Sequence, residues 1–159
     1  MIYIGIDPGL NGAIAFLDTE KGHLSVVDMP TFEVKRNNKA KREVSPHGLA
    51  DVLSLSQNVA GVVLERVGAM PGQGVTSVFS FGRSVGIIEG ILAAEHMAVS
   101  IVTPQAWQKA VGLRGGKDGS RERAMQQFPD QSALFSRKKD DGRADATMIA
   151  LYGAKALQK

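Results

Sequence analysis

The chain opens on an apolar run, residues 2–6 (IYIGI), that stops abruptly at Asp7-Pro8-Gly9. An unbroken apolar pentamer closed by turn-forming residues predicts a buried strand. Residues 13–17 (AIAFL) follow Gly12, and residues 24–29 form a third strand candidate behind the turn at Lys21-Gly22. Short links between the three runs predict an antiparallel meander. Residues 31–45 are polar and basic and read as a mobile loop or a hairpin tip. Ser45-Pro46 then has the form of a helix start, with Ser45 as N-cap and Pro46 at the first helical position.

Residues 60–64 (AGVVL) predict a fourth strand that runs into Glu65. A glycine-rich loop, 68–74, precedes a long helix over 76–96, in which Val78, Phe81, Val85, Ile88 and Leu92 recur on one face. Gly82, Gly86 and Gly90 repeat every fourth residue along it. Each costs a soluble helix up to about 1 kcal/mol relative to alanine. The stripe therefore predicts a closely packed backbone neighbour, either the protein's own sheet or a second copy. Residues 99–102 predict a fifth strand, and Thr103-Pro104 caps a short helix carrying Trp107. A flexible loop (112–120), a modest helix (120–128) and a last helix (141–157) follow. The order predicts an α/β fold with a five-stranded mixed sheet flanked by helices.

Length and composition narrow the function. A chain of 159 residues predicts one domain over 1–159, large enough for a real core. The absence of cysteine excludes disulfide scaffolds, thiolate metal sites and cysteine nucleophiles. No apolar run reaches the roughly 18 residues of a membrane span, and the N-terminus lacks a secretory signal pattern. The expectation is a cytoplasmic protein with no membrane partner. The net charge of +3 hides two basic stretches. One holds Lys35, Arg36, Lys39, Lys41 and Arg42; the other holds Arg114, Lys117, Arg121, Arg123, Arg137, Lys138 and Lys139. Charge alone fits a nucleic-acid footprint and a solubilising surface equally well.

The acids carry more information. Asp7 and Glu65 each follow directly on an apolar strand, at the sheet rim where open α/β folds build their sites. If those strands are neighbours, their axes lie about 4.8 Å apart, and two carboxylates so close need a cation between them. Taken singly, Asp7 reads as a turn residue and Glu65 as half of a surface pair with Arg66. Asp141 and Asp145 share one face at the start of the last helix. The turns that follow (ADATMIALYGA) are small and apolar, as in a helix buried against a sheet. A buried helix presenting two acids inward needs compensating positive charge. Oxygen donors without cysteine or nearby histidine suit a hard cation, magnesium or manganese. His23, His47 and His96 fall outside these motifs and read as structural or surface residues.

In this order and spacing, IGIDPGLNGAIA, VVLERV and DGRADATMIALY resemble the RuvC family of Holliday junction resolvases. MPGQGVTSVFSFGRSVGIIEGIL is similar to the compact RuvC-like proteins of phages and prophages. The resemblance covers nearly the whole chain. It implies an RNase H-like fold and a homodimer joined through the helix over 76–96. It also implies magnesium-dependent paired nicking of four-way DNA junctions, with manganese able to substitute, in the cytoplasm of a bacterium or a phage-infected host. Asp7, Glu65 and Asp145 match the family's metal-binding acids. The family places a fourth acid three residues before the last, where this chain has Gly142. Asp141, on the same helical face, takes the role here, with Asp140 as the fallback. Lys117 is the best match for a family lysine that holds the scissile phosphate, and Lys109 is a weaker one. Lys109, Arg114, Lys117 and Arg121 are the expected DNA contacts.

One departure concerns the junction crossover. Bacterial relatives often place an aromatic wedge shortly after the glutamate, where this chain has Gly68, Ala69 and Met70; Phe79 or Phe81 is the substitute. Two rival readings stay open. One is a junction-binding subunit with a decayed metal site. The other is an actin-like ATP-binding domain, because IGIDPG is also similar to the phosphate loop of that fold.

Overall fold

β1 (Ile2–Ile6) is the middle strand of a five-stranded sheet, as its unbroken apolar sequence requires. The computed structural model describes residues 1–36, 38–69, 71–113 and 118–157. β2 (Ala13–Asp18) and β3 (His23–Asp28) complete an antiparallel meander on one side of β1. On the other side, β6 (Val59–Glu65) and β7 (Val99–Val102) run parallel to it. The sheet order is β3-β2-β1-β6-β7, the mixed sheet that the element order predicts.

Strand alternation divides the core in two. Tyr3, Ala13, Ala15 and Val63 face the last helix, α5 (Asp141–Ala156), in one cluster. Ile4, Ile6, Ile14, Val62 and Leu64 face the opposite layer. There they meet Leu49 and Leu53 of α1 (Pro46–Ser54) and Ile88 and Leu92 of α2 (Val75–Ala94). Ser45 caps α1 as predicted, its side chain accepting from the Gly48 N–H at 3.1 Å. α5 lies directly on the sheet because small residues permit it. A Cβ at Gly5 of β1 would stand 2.2 Å from the Ala146 carbonyl oxygen. The first turn of α5 is equally tight, since a Cβ at Gly142 would stand 2.2 Å from the Asn11 carbonyl oxygen.

The basic stretch after β3 is more ordered than a mobile loop. β4 (Thr31–Arg36) and β5 (Lys39–Val44) pair as a hairpin that forms its own two-stranded sheet. Asn38 takes a positive φ of 56° at the turn, a conformation asparagine tolerates. Arg42 bonds Asn11, and an Arg83–Glu43 ion pair ties the hairpin to α2.

The remaining helices are α3 (Pro104–Ala110) and α4 (Gly119–Gln127). Two 3-10 segments, Pro129–Phe135 and Lys138–Asp140, lead into α5; nothing in the hydrophobic pattern predicts them.

The glycine stripe of α2 does not pack on the protein's own sheet. Among the described residues, nothing comes within 4 Å of a Cβ built at Gly82, Gly86 or Gly90. On the outer side of this helix Val75 is 85% and Phe79 69% exposed. α2 is also long and apolar enough to cross a membrane by length and composition, with an 18-residue window of mean hydropathy 1.3; the expectation of no such stretch is corrected on that point. Arg83 at mid-helix, paired with Glu43, and the packing of Ile88 and Leu92 on the sheet fix α2 as a layer of this fold.

Candidate active site

Parallel pairing of Ile6 with Leu64 sets Asp7 and Glu65 side by side at the strand ends. The period of two then aims both on the α5 face, continuing Tyr3 and Gly5 in one strand and Gly61 and Val63 in the other. On α5, Gly142, Ala146, Ala150 and Gly153 meet the sheet or the β1–β2 turn. Asp145 shares that stripe at helical spacing. Three half-buried carboxylates from distant segments therefore converge.

Their electrostatics follow from burial and from this proximity. Burial pushes the Asp7 carboxyl up to about 7; a hydrogen bond from the Gly9 N–H opposes the shift, and the charges of Asp145 and Glu65 add to it. Burial also raises Glu65, against a bond from Trp107, with Asp145 adding repulsion. Asp145 is raised by burial, against a bond from the Ser120 hydroxyl, with Asp141 adding repulsion.

The acids around this site fall into two groups by partner. Asp7, Glu65 and Asp145 are held by neutral donors: a backbone N–H, an indole N–H and a hydroxyl. Asp28, Asp140 and Asp141 are held by arginines. Arg143 grips Asp28 through two bonds of 2.6 and 2.7 Å. Arg137 donates to Asp140 from its guanidinium at 2.8 Å and again from its backbone N–H at 2.9 Å. Arg121 bonds Asp141 at 2.7 Å and also pairs with Asp118. Hydrogen bonds from Arg143 and Arg137 hold Asp28 and Asp140 below the usual carboxylate range. The first group keeps a net negative charge for a cation; the second has largely spent its charge. Asp140, the fallback fourth acid, is buried in that structural pairing. Asp141 stays beside Asp145 at the cleft, engaged by Arg121.

Asp7, Asp145 and Asp141 line a cleft of about 1060 Å³, together with Arg42 of the hairpin, Phe81 of α2, and Arg137, Lys138 and Lys139. Glu65 lines a second cavity of about 400 Å³ with Arg66, Glu89 and Thr103. Among the described residues, no three acidic or imidazole groups form a ready-made ion shell. The donor set itself suits a hard divalent cation, being all oxygen and mutually repulsive.

The other expected residues are placed unevenly. Lys109 is exposed on the last turn of α3, outside both cavities. Arg121 is committed to Asp118 and Asp141 rather than free for phosphate. Arg114 and Lys117 lie outside the described residues, as does Met70. Gly68, Ala69 and Phe79 are exposed, while Phe81 reaches the cleft. His23, His47 and His96 are all on the surface. Two features escaped the sequence reading. One is the Trp107–Glu65 bond, which joins residues 42 apart. The other is the grouping of Arg137, Lys138 and Lys139 at the cleft, where only a basic stretch was legible.

Comparison with known proteins bears on the architecture. The chain matches Thermus thermophilus RuvC in complex with a Holliday junction substrate, with TM-score 0.64 and 14% identity, over 98% of this chain and 96% of that one. The fold is that of RuvC. A second Thermus thermophilus RuvC structure matches with TM-score 0.61 and 16% identity over the same shares. The yeast mitochondrial Holliday junction resolvase Ydc2 matches with TM-score 0.55 and 17% identity, over 98% of this chain and 78% of that one. The expected RNase H-like class is thus observed. In sequence, 85 residues, 52% of the chain, are 34% identical to the chloroplastic Holliday junction resolvase MOC1 of Chlamydomonas reinhardtii. The chain spans about 10% of the length of that protein. No protein-family model matches.

Proposed function

We propose that this chain is a Holliday junction resolvase, a structure-selective endonuclease that makes paired nicks in branched DNA by metal-assisted hydrolysis. The observation that carries the reading is the convergence of Asp7, Glu65 and Asp145 on a RuvC-type fold, each held by a neutral donor and unpaired with any lysine or arginine among the described residues. The resolvase names of the structural neighbours and of the algal relative support the same substrate.

Asp7, Glu65 and Asp145 would hold the divalent ion, with magnesium as the assigned metal and Asp141 as the fourth donor once it leaves Arg121. When bound, the metal supplies Lewis acidity at the scissile phosphate and a more acidic attacking water. The protein contributes orientation and charge. The Gly9 N–H and the Ser120 hydroxyl fix the carboxylates of Asp7 and Asp145, which would hold the ion in their ionised form.

Lys138 and Lys139 beside α5 are the phosphate contacts at this cleft, while Arg42 and Arg137, held by Asn11 and Asp140, add positive charge to its wall. Recognition then rests on the shape of the branched duplex more than on base edges. The open glycine face of α2 is the seat for a second copy of the chain, which gives two sites for two strands.

A synthetic four-way junction with magnesium tests this directly. The wild type nicks opposed strands symmetrically, and Asp7→Asn, Glu65→Gln or Asp145→Asn abolishes nicking while junction binding persists. Nicking that survives these substitutions refutes the site. Binding without any nicking by the wild type supports the decayed, junction-binding alternative.

A further inference from the structure

Trp107 is the single tryptophan of the chain, and it is 1% exposed. Its indole Nε1–H donates to Glu65 Oε1 at 2.8 Å. The ring is held firmly. Thr103 caps α3, accepting from the Ala106 N–H at 3.3 Å, and Trp107 belongs to the same core cluster as Val102, Val111 and Phe135. We propose that Trp107 is a positioning residue for the metal site: it fixes one oxygen of Glu65 and leaves the other, with the full negative charge, for the ion. The inference rests on the reading of Glu65 as a metal ligand.

The choice of donor matters. An indole N–H has no charge, accepts nothing and does not titrate in the working range. It orients a carboxylate without neutralising it. The guanidiniums on Asp28 and Asp140 do the opposite, and those acids lie outside the group of three. A buried indole also needs some acceptor for its own sake. A purely structural bond would serve that need, and it would leave metal affinity indifferent to the loss of the N–H.

The test uses the full-length chain and magnesium chloride. Trp107→Phe keeps an aromatic ring and deletes the donor. Calorimetry should show magnesium binding weakened by about tenfold or more, the usual cost of removing a supporting hydrogen bond from a metal ligand. Half-maximal nicking should need a proportionate excess of magnesium, and that excess should recover most of the rate. Unchanged magnesium affinity, or a lost rate that excess metal does not restore, overturns the proposal. The wild type supplies a second readout free of folding effects. Magnesium should change the emission of Trp107 in the wild type and leave it unchanged in Glu65→Gln, whereas an unresponsive wild-type emission overturns the proposal. Because both binding readouts need no DNA, a chain that binds magnesium through Glu65 yet cuts no junction would refute the proposed function and leave this inference standing.

Discussion

Gly142 presses its α-carbon against the Asn11 carbonyl, where an added Cβ would stand 2.2 Å from the oxygen. The contact brings the first turn of α5, and with it Asp141 and Asp145, onto the loop that carries Asp7. It also explains why no acid occupies position 142, since no side chain fits there. Gly142→Ala should therefore destabilise the protein by about 3 kcal/mol, reversing the gain that alanine normally brings to a helix. Chemical denaturation measures this, and a neutral or stabilising result would contradict the close approach.

Asp7 makes stability depend on pH in an unusual direction. Its carboxyl rises from 3.8 to about 7 on folding, so between those values the fold binds a proton that the unfolded chain has released. Metal-free stability should fall as pH rises from about 4 to 7 and level off above, by roughly 2–4 kcal/mol. Glu65 and Asp145 are raised as well and act with the same sign. Asp7→Asn should flatten much of the slope and leave the variant more stable than the wild type at pH 8 in a chelator. Denaturant melts at pH 5, 6 and 8 decide it; a flat wild-type profile would contradict the burial of this acid.

Lys138 and Lys139 are exposed at the cleft and form no ion pair among the described residues. Replacing both with alanine should change stability by less than about 0.5 kcal/mol. Junction binding should weaken, and the slope of log affinity against log salt should lose nearly one unit for each phosphate contact removed. An unaltered slope would place the DNA elsewhere.

On α2 the same substitution separates two states of the protein. A methyl group at Gly86 meets open space in the single chain, so Gly86→Ala should stabilise the helix by up to about 1 kcal/mol. Across an interface it should push two backbones apart and raise the dimer dissociation constant about tenfold or more. Denaturant melts should show a more stable chain, and sedimentation equilibrium one that self-associates less. Equal association by wild type and variant would move the interface off this stripe.

Strands that end on acids made Asp7 and Glu65 legible, because burial pattern and chemistry change at one residue. Helical spacing placed Asp141 and Asp145 on one face, and the resemblance to RuvC singled out Asp145. The hairpin stood as one of two readings of its segment, since Lys35, Lys39, Lys41 and Arg42 face solvent and leave little alternation to decide between them. The partners of the acids were hidden for another reason. Arg121 with Asp141, Arg143 with Asp28 and Trp107 with Glu65 are separated by 20, 115 and 42 residues, so only the folded chain brings them together. That pairing, rather than the presence of acids, distinguishes those left without a basic partner from those already compensated by an arginine.

The hairpin of β4 and β5 shares no ladder with the five-stranded sheet. Its anchors include Val44 in the core, Glu43 on Arg83 and Arg42 on Asn11. The outward residues of its two strands can thus be rewritten wholesale without disturbing the framework that aligns the carboxylates. Under the proposed function, editing this one appendage alters the rim that meets the substrate while the three carboxylates stay aligned.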